Sequence, residues 1–183
     1  MQRKLSRRFR FSLASLLLLV TLIALALGSY RAWQIASERA ELTSIFGGEE
    51  GMAILVKPDK VEAYRLGKPT GPHHSIDLKD YPTISPPVAI STADLETLQR
   101  LFTGRSSFRH YYKACIPTYG VRLDFNRGNK ELHILFCLEC ESLDCWLDGK
   151  LVGGADFDPV NADLVRIVKS IFPNDTDIQA LRP

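Results

Sequence analysis

The sequence predicts an α+β protein: an N-terminal transmembrane helix, then a small, mainly antiparallel sheet domain with two packed helices. Three observations predict it. Residues 11–27, "FSLASLLLLVTLIALAL", are an uncharged apolar run. Between 119 and 155 short segments suited to strands are separated by turn residues, with Asn126-Arg127-Gly128-Asn129 and Asp148-Gly149 as the clearest breaks. Two further segments, 91–104 and 158–172, carry apolar residues at helical spacing and lie apart in the chain, which suits α+β rather than alternating α/β.

The apolar run follows a basic decapeptide holding Arg3, Lys4, Arg7, Arg8 and Arg10. At 1.5 Å per residue, a 17-residue helix spans about 25 Å, and Gly28, Ser29 and Tyr30 extend it toward the ~30 Å hydrocarbon core. Tyr30 and Trp33 then fall where interfacial aromatics sit, and the basic end places the N-terminus in the cytoplasm. The competing reading is a cleaved signal peptide, with Ala26 and Gly28 as small residues before a cut at Ser29. The run exceeds the usual ~7–15-residue apolar region of a signal peptide, and residues 31–46 stay helix-compatible past that point. Both readings export the remainder. The expected organisation is a cytoplasmic basic segment 1–10, an anchor in the lipid bilayer 11–30, a helical extension and linker 31–51, and an exported domain 52–183. The N-terminal stretch resembles a short leader found on many bacterial single-span proteins of unrelated function, which implies an anchor and nothing about the exported domain.

From Leu42 onward 16 Lys+Arg stand against 19 Asp+Glu, about −3 in all. That balance excludes the basic face of a nucleic-acid binder. Leu42, Ile45 and Phe46 have the spacing to dock the end of the first helix, and Gly47–Gly51 reads as a flexible joint. "MAILV" (52–56) and "VEAYRL" (61–66) read as strands, 67–75 as a Gly/Pro loop, and 81–90 as extended because Pro82, Pro86 and Pro87 forbid helix. Ser91 and Asp94 start a helix whose stripe is Leu95, Leu98, Leu101 and Phe102, and Gly104 stops it. The stretch 105–114 is ambiguous. Residues 119–126 alternate, 131–138 return, and 143–155 form a second hairpin on Asp148-Gly149 with type I′ chemistry. Asp158 caps the last helix, with Pro159 in its first position and Leu164, Ile167, Val168, Ile171 and Phe172 on its apolar face.

Four cysteines, Cys115, Cys137, Cys140 and Cys145, are the chief chemical signal. Closing the first hairpin on Arg127-Gly128 puts Val121 opposite Ile134, and extending that ladder puts Cys115 opposite Cys140. Closing the next turn around Glu141 puts Cys137 opposite Cys145 and Leu135 opposite Leu147. The preferred reading is therefore two structural disulfides, Cys115–Cys140 and Cys137–Cys145, in a compartment that permits them. A zinc site ligated by all four cysteines is the alternative, although its second knuckle is split across the sequence. Unpaired buried thiols are a further one. Thioredoxin-type redox work wants the first cysteine at a helix N-terminus, whereas Cys137 ends a strand flanked by Glu139 and Glu141, which raise a thiol's pKa. "CIPTYGVRL" (115–123) with "LFCLEC" (135–140) also resembles a family of uncharacterised bacterial domains that share a cysteine, a Pro-x-x-Gly strand start and a C-x-x-C strand end. The resemblance implies that Cys115, Cys137 and Cys140 belong to one unit and carries no activity. Tyr119 stands where the family pattern has His.

Other candidates have plainer readings. His73, His74, Asp77 and Asp80 could ligate a metal but lie in a Pro/Gly loop. His133 reads as a sheet-face residue. It becomes a candidate base if it, or His73, lies in a deep pocket beside a carboxylate. Asp124, Glu131, Asp144 and Asp148 read as polar-face carboxylates, and Asp156 with Asp158 as a carboxylate pair or a cap. "FRHYYK" (108–113) could stack on a ligand or pack at an interface. No nucleophile elbow, phosphate loop or dinucleotide fingerprint is present. The function expected is a membrane-anchored, non-catalytic binding or interaction module with a protein partner at the cell envelope. The alternative is a zinc- or thiol-dependent protein centred on the four cysteines.

Overall fold

In the computed structural model the chain divides into two units, Met1–Glu38 and Arg39–Pro183. The residues described are 13–70, 77–104, 106–109, 113 and 115–182. Helix α1 (Leu13–Ile45) begins in the first unit. Within that unit it shows apolar side chains on every side, from Leu13 through Leu27, and is long and apolar enough to cross a membrane. The Thr21 hydroxyl donates to the Leu17 carbonyl at 2.9 Å, so the polar group inside the apolar run is satisfied by its own helix. The Tyr30 and Trp33 rings lie 6.2 Å apart, tilted by 33°, just beyond the run.

The second unit is built on a six-stranded antiparallel sheet in the order β2-β1-β3-β4-β5-β6. The strands are β1 (Lys60–Arg65), β2 (Val88–Ala89), β3 (Val121–Arg127), β4 (Lys130–Cys137), β5 (Ser142–Leu147) and β6 (Lys150–Asp156). Alternation divides the strand residues between two faces. Ala63, Val121, Leu123, Phe125, Leu132, Ile134, Phe136, Leu143 and Cys145 lie on one face, beneath the helices. On the other, Leu135, Cys137 and Trp146 join Leu66, Tyr81, Tyr119 and Cys140 in a smaller cluster.

Helices α2 (Gly48–Val56), α3 (Thr92–Phe102), α4 (Asn161–Ile171) and α5 (Thr176–Ala180) contribute to the larger core, together with Ile45 and Phe46. Phe102 lies at its centre, with Phe46, Phe125 and Phe136 at ring separations of 5.7, 6.4 and 6.1 Å. The Ser91–Asp94 cap forms as expected: Ser91 accepts the Asp94 N–H at 3.1 Å and donates to its carboxylate at 2.7 Å.

Residues 52–56 are not a strand. They complete α2, and Gly47–Gly51 is no joint, because Gly48–Gly51 form its first turn. A five-residue apolar run cannot distinguish a strand from a buried helical turn by periodicity. What decides is that Gly51, Ile54 and Leu55 are buried at helical spacing, with Glu49 and Glu50 in the first turn where the dipole favours them. Gly47, at φ 84°, takes the left-handed turn between α1 and α2. The C-terminal carbonyls of α2 find partners: Gln99 donates to Leu55 and Val56 at 3.0 Å each, and Arg127 to Ala53 at 2.9 Å. The second unit thus takes in residues well before Met52.

The hairpins also correct the expected registers. The β3–β4 loop is Gly128-Asn129, so Leu123 faces Ile134 and Val121 faces Phe136. Closure on Arg127-Gly128 in the I′ form would force positive φ on Arg127; instead Gly128, at φ 59°, takes the first loop position. That two-residue shift leaves every side chain on its expected face. The β4–β5 turn behaves differently. It holds four residues, Leu138–Glu141, and pairs Cys137 with Ser142 and Ile134 with Cys145. Relative to the expected register this is an odd shift, which moves Cys145 to the opposite face from Cys137. Asp148 and Gly149 both have positive φ, 49° and 76°, as a type I′ turn requires. In β6 the extra residue Val152 makes a bulge opposite Cys145 and Trp146.

The helix expected to be the last, α4, starts later than expected and is followed by α5. Asp158–Val160 form one 3₁₀ turn and α4 begins at Asn161, so Asp158 is not its cap. Leu164, Ile167, Val168, Ile171 and Phe172 are buried as expected.

Candidate functional site

Where the ladder of β3 ends, residues 115–120 run alongside the β4–β5 turn. Gly120 N–H holds this segment to the sheet by donating to the Phe136 carbonyl at 3.0 Å. Cys115 and Cys140 are joined there by a disulfide, with their Cα atoms 6.1 Å apart. Cys137 and Cys145 are free and buried. The expected Cys137–Cys145 bridge does not form, because the β4–β5 register sets the two thiols on opposite faces. The same separation keeps the four cysteines from converging as a ligand set. Among the described residues no group of three or more His, Cys, Asp or Glu could hold a metal ion.

A cleft of about 360 Å³ opens beside the disulfide. Its lining includes Cys115, Cys140, Arg109, Lys113, Asp144 and Asp156. Lys113 bridges three elements: it donates to the Cys140 carbonyl at 2.8 Å and pairs with Glu141 at 3.3 Å and Asp158 at 2.9 Å. Burial alone would lower its pKa, but the two carboxylates outweigh it and hold the ammonium above its ordinary value. Asp158, expected to form a pair with Asp156 or a cap, is engaged by Lys113 instead.

Asp144 is the most perturbed carboxyl described. Burial raises its pKa to about 6, while the Tyr119 hydroxyl donates a hydrogen bond to it. Tyr119 is 1% exposed and packs edge-on against Tyr81 and Trp146. Because the folded-state pKa lies above the unfolded one, the native state holds the proton more tightly. Asp144 therefore contributes stability below the unfolded value of 3.8 that is lost as pH rises through about 6. Asp144→Asn keeps an acceptor for Tyr119 and removes the ionisation. It is expected to raise the Tm at pH 8 and leave it almost unchanged at about pH 3, below the unfolded value. The gain is at most about 3 kcal/mol, less where solvent screens the carboxylate. Thermal scans at the two pH values check this.

His133, the candidate base, bonds Asp124 through Nδ1 at 2.8 Å, with Glu131 at 3.5 Å from Nε2. Arg122 pairs with Asp124 at 2.8 Å and lies 4.7 Å over the Tyr64 ring. Among the described residues no hydroxyl or thiol is hydrogen-bonded to His133, so this is a polar network on the sheet face, built around the Arg122–Asp124 ion pair, with no nucleophile bonded to the imidazole. Asp148 pairs with Lys130 at 2.6 Å and accepts the Glu131 N–H at 3.1 Å, which fastens the two hairpins together. Asp77 accepts the Lys79 N–H at 3.1 Å as a turn cap, and Asp80 belongs to the same 3₁₀ turn. His73 and His74 lie outside the described residues. Within "FRHYYK", Phe108 packs on Phe46 at 5.7 Å, and Arg109 and Lys113 reach the cleft; His110, Tyr111 and Tyr112 lie outside the described residues.

Reading the sequence missed Lys113 with Glu141 and the Tyr119–Asp144 bond. Neither pair has a local signal, since each joins positions more than twenty residues apart across a turn. No family model matches the chain, and neither a curated protein nor a solved structure matches it.

Proposed function

We propose that the chain is a single-span bacterial membrane protein with a cytoplasmic N-terminus, and that its sheet domain is an extracytoplasmic, non-catalytic interaction module. The Cys115–Cys140 disulfide carries this reading. Such bonds persist in exported domains and are rare in the cytosol, and the preceding apolar helix supplies the anchor. The cleft beside the disulfide is the proposed docking place for a protein partner of the cell envelope. It has a mixed lining of cations, carboxylates and apolar atoms, and among the described residues it shows no nucleophile–base pair.

Two measurements test the reading. An alkaline phosphatase fused after Arg182 is expected to be active in intact bacteria, since that enzyme matures only outside the cytoplasm; an inactive but intact fusion rejects the topology. A photo-crosslinking residue at Ser142 in the cleft is expected to trap one discrete partner, whereas the same residue at exposed Lys57 traps none. Identical patterns from the two positions reject the cleft as the docking place.

A further inference from the structure

Cys137 differs from the other free thiol in what surrounds it. Cys145 sits among apolar side chains in the large core and is wholly buried. Cys137 Sγ instead accepts two backbone N–H groups, from Thr118 and from Cys140, each at 3.3 Å. It shares a buried cluster with Cys140. The hydrogen bond from the Cys140 amide sets the Cys137 sulfur against the backbone of residue 140. Cys140 is 6% exposed, while its disulfide partner Cys115 is exposed. Of the two bonded cysteines, then, the buried one neighbours the free thiol and the exposed one lines the cleft with Arg109 and Lys113.

We infer that Cys137, Cys140 and Cys115 form a thiol–disulfide exchange site, in which Cys137 displaces Cys115 from Cys140 and the freed Cys115 accepts a group from a low-molecular-weight disulfide. In the first step the Cys137–Cys140 bond forms and the Cys115–Cys140 bond breaks. The proton lost by Cys137 is balanced by protonation of the departing Cys115 thiolate, and nothing is oxidised overall. In the second step the Cys115 thiol gives its proton to water, and the resulting thiolate, whose sulfur is the one oxidised, attacks the external disulfide. A mixed disulfide forms on Cys115, and the other half of the reagent leaves as a thiolate and is the species reduced. The two N–H groups on Cys137 favour its attacking anion, and solvent exposure at Cys115 favours the departing one. Burial pushes the Cys137 thiol up, as does Glu139 in its own turn. Tyr81 packs over it from the 66–83 segment, Asp144 lies on the adjoining β5, and Lys113 is bonded to the Cys140 carbonyl. The exchange is consequently slow at neutral pH and accelerates as pH rises. It gains a physiological setting if the domain is exported, but the chemistry itself is read on the purified chain, so the two ideas fail separately.

The test uses the full-length protein in detergent with oxidised glutathione as the probe, followed by acid quenching, alkylation and peptide mapping. The expected product carries glutathione on Cys115 and a Cys137–Cys140 bond in the same molecule. It should appear about tenfold faster per pH unit between pH 7 and 8.5. Cys145→Ser leaves the adduct unchanged, and Cys137→Ser abolishes it. Retention of the Cys115–Cys140 bond without an adduct at every pH overturns the inference, and so does an adduct that survives Cys137→Ser. Should Cys137→Ser misfold, Cys115→Ser decides. It is expected to close the Cys137–Cys140 bond on exposure to the probe, and glutathione on Cys140 beside a free Cys137 overturns the idea.

Discussion

Phe102→Ala is expected to destabilise the sheet domain by about 3–5 kcal/mol. Phe102 is fully buried, and its ring is shared by segments far apart in sequence: Phe46 after α1, Phe108 before the disulfide, Phe125 on β3 and Phe136 on β4. Truncation removes the transfer energy of a large side chain and leaves a cavity that four other rings must hold open. It also deletes ring–ring contacts worth about 0.5–1.5 kcal/mol per pair beyond area burial. Against a domain stability of roughly 5–15 kcal/mol, that loss is a large fraction. Urea titration should show a lower midpoint with an unchanged slope. Val56→Ala, at a side chain 54% exposed, is the matched control and should fall within about 0.5 kcal/mol of wild type. A Phe102→Ala midpoint equal to the control's would mean that the helices do not share one core with the sheet.

Breaking the Cys115–Cys140 bond by paired alanine substitution is the second large expected effect, about 3–4 kcal/mol. The bond closes a loop with a sequence separation of 25, and the chain-entropy relation assigns that amount to such a loop. The lost anchor is local. Without it, the exposed start of the segment at Cys115 and Ile116 loses its covalent hold, while Pro117 and Thr118 keep one hydrogen bond each, from the Tyr81 hydroxyl at 3.3 Å and to Cys137 Sγ at 3.3 Å, and Tyr119 stays packed in the smaller cluster. The Tm should fall by roughly 10 °C. Wild-type protein treated with a dithiol reductant should fall equally, while reductant should not alter the doubly substituted chain. A wild-type Tm indifferent to reductant would show the bond absent or without stabilising effect.

Features carried by a few adjacent residues were legible in the sequence. Ser91 and Asp94 announced a helix start, Asp148-Gly149 announced a I′ turn, and the apolar faces of α3 and α4 announced the core. What failed depended on a count of loop residues or on a run too short to carry a period. Residues 52–56 have no pattern that separates helix from strand. The β4–β5 turn has no Gly to mark its corner, since Glu141 itself takes φ 54°, so its length could not be counted from composition. That one miscount moved Cys145 across the sheet and removed the second bridge. The Cys115–Cys140 bond exists, but not through the ladder that pointed to it. The pairing of β3 with β4 starts at Val121, and Cys140 lies in the turn rather than on β4. In the cleft, the acid and base partners come from segments that only the finished fold brings together.

Glu141 occupies the corner of that turn and does more than reverse the chain. Its carbonyl accepts the Phe157 N–H at 2.7 Å, one carboxylate oxygen accepts from Asn161 at 2.9 Å, and the other accepts from Lys113 at 3.3 Å. A single residue in a left-handed conformation thus joins the disulfide segment, the β4–β5 corner and the entry to α4. These parts are therefore expected to open as one unit. Amide exchange at Phe157 and at Val160, whose N–H donates to the Phe157 carbonyl, should share the opening free energy of the disulfide corner rather than that of the central strands. Cutting the disulfide would then be felt as lost protection at the start of α4, a helix that contains no cysteine.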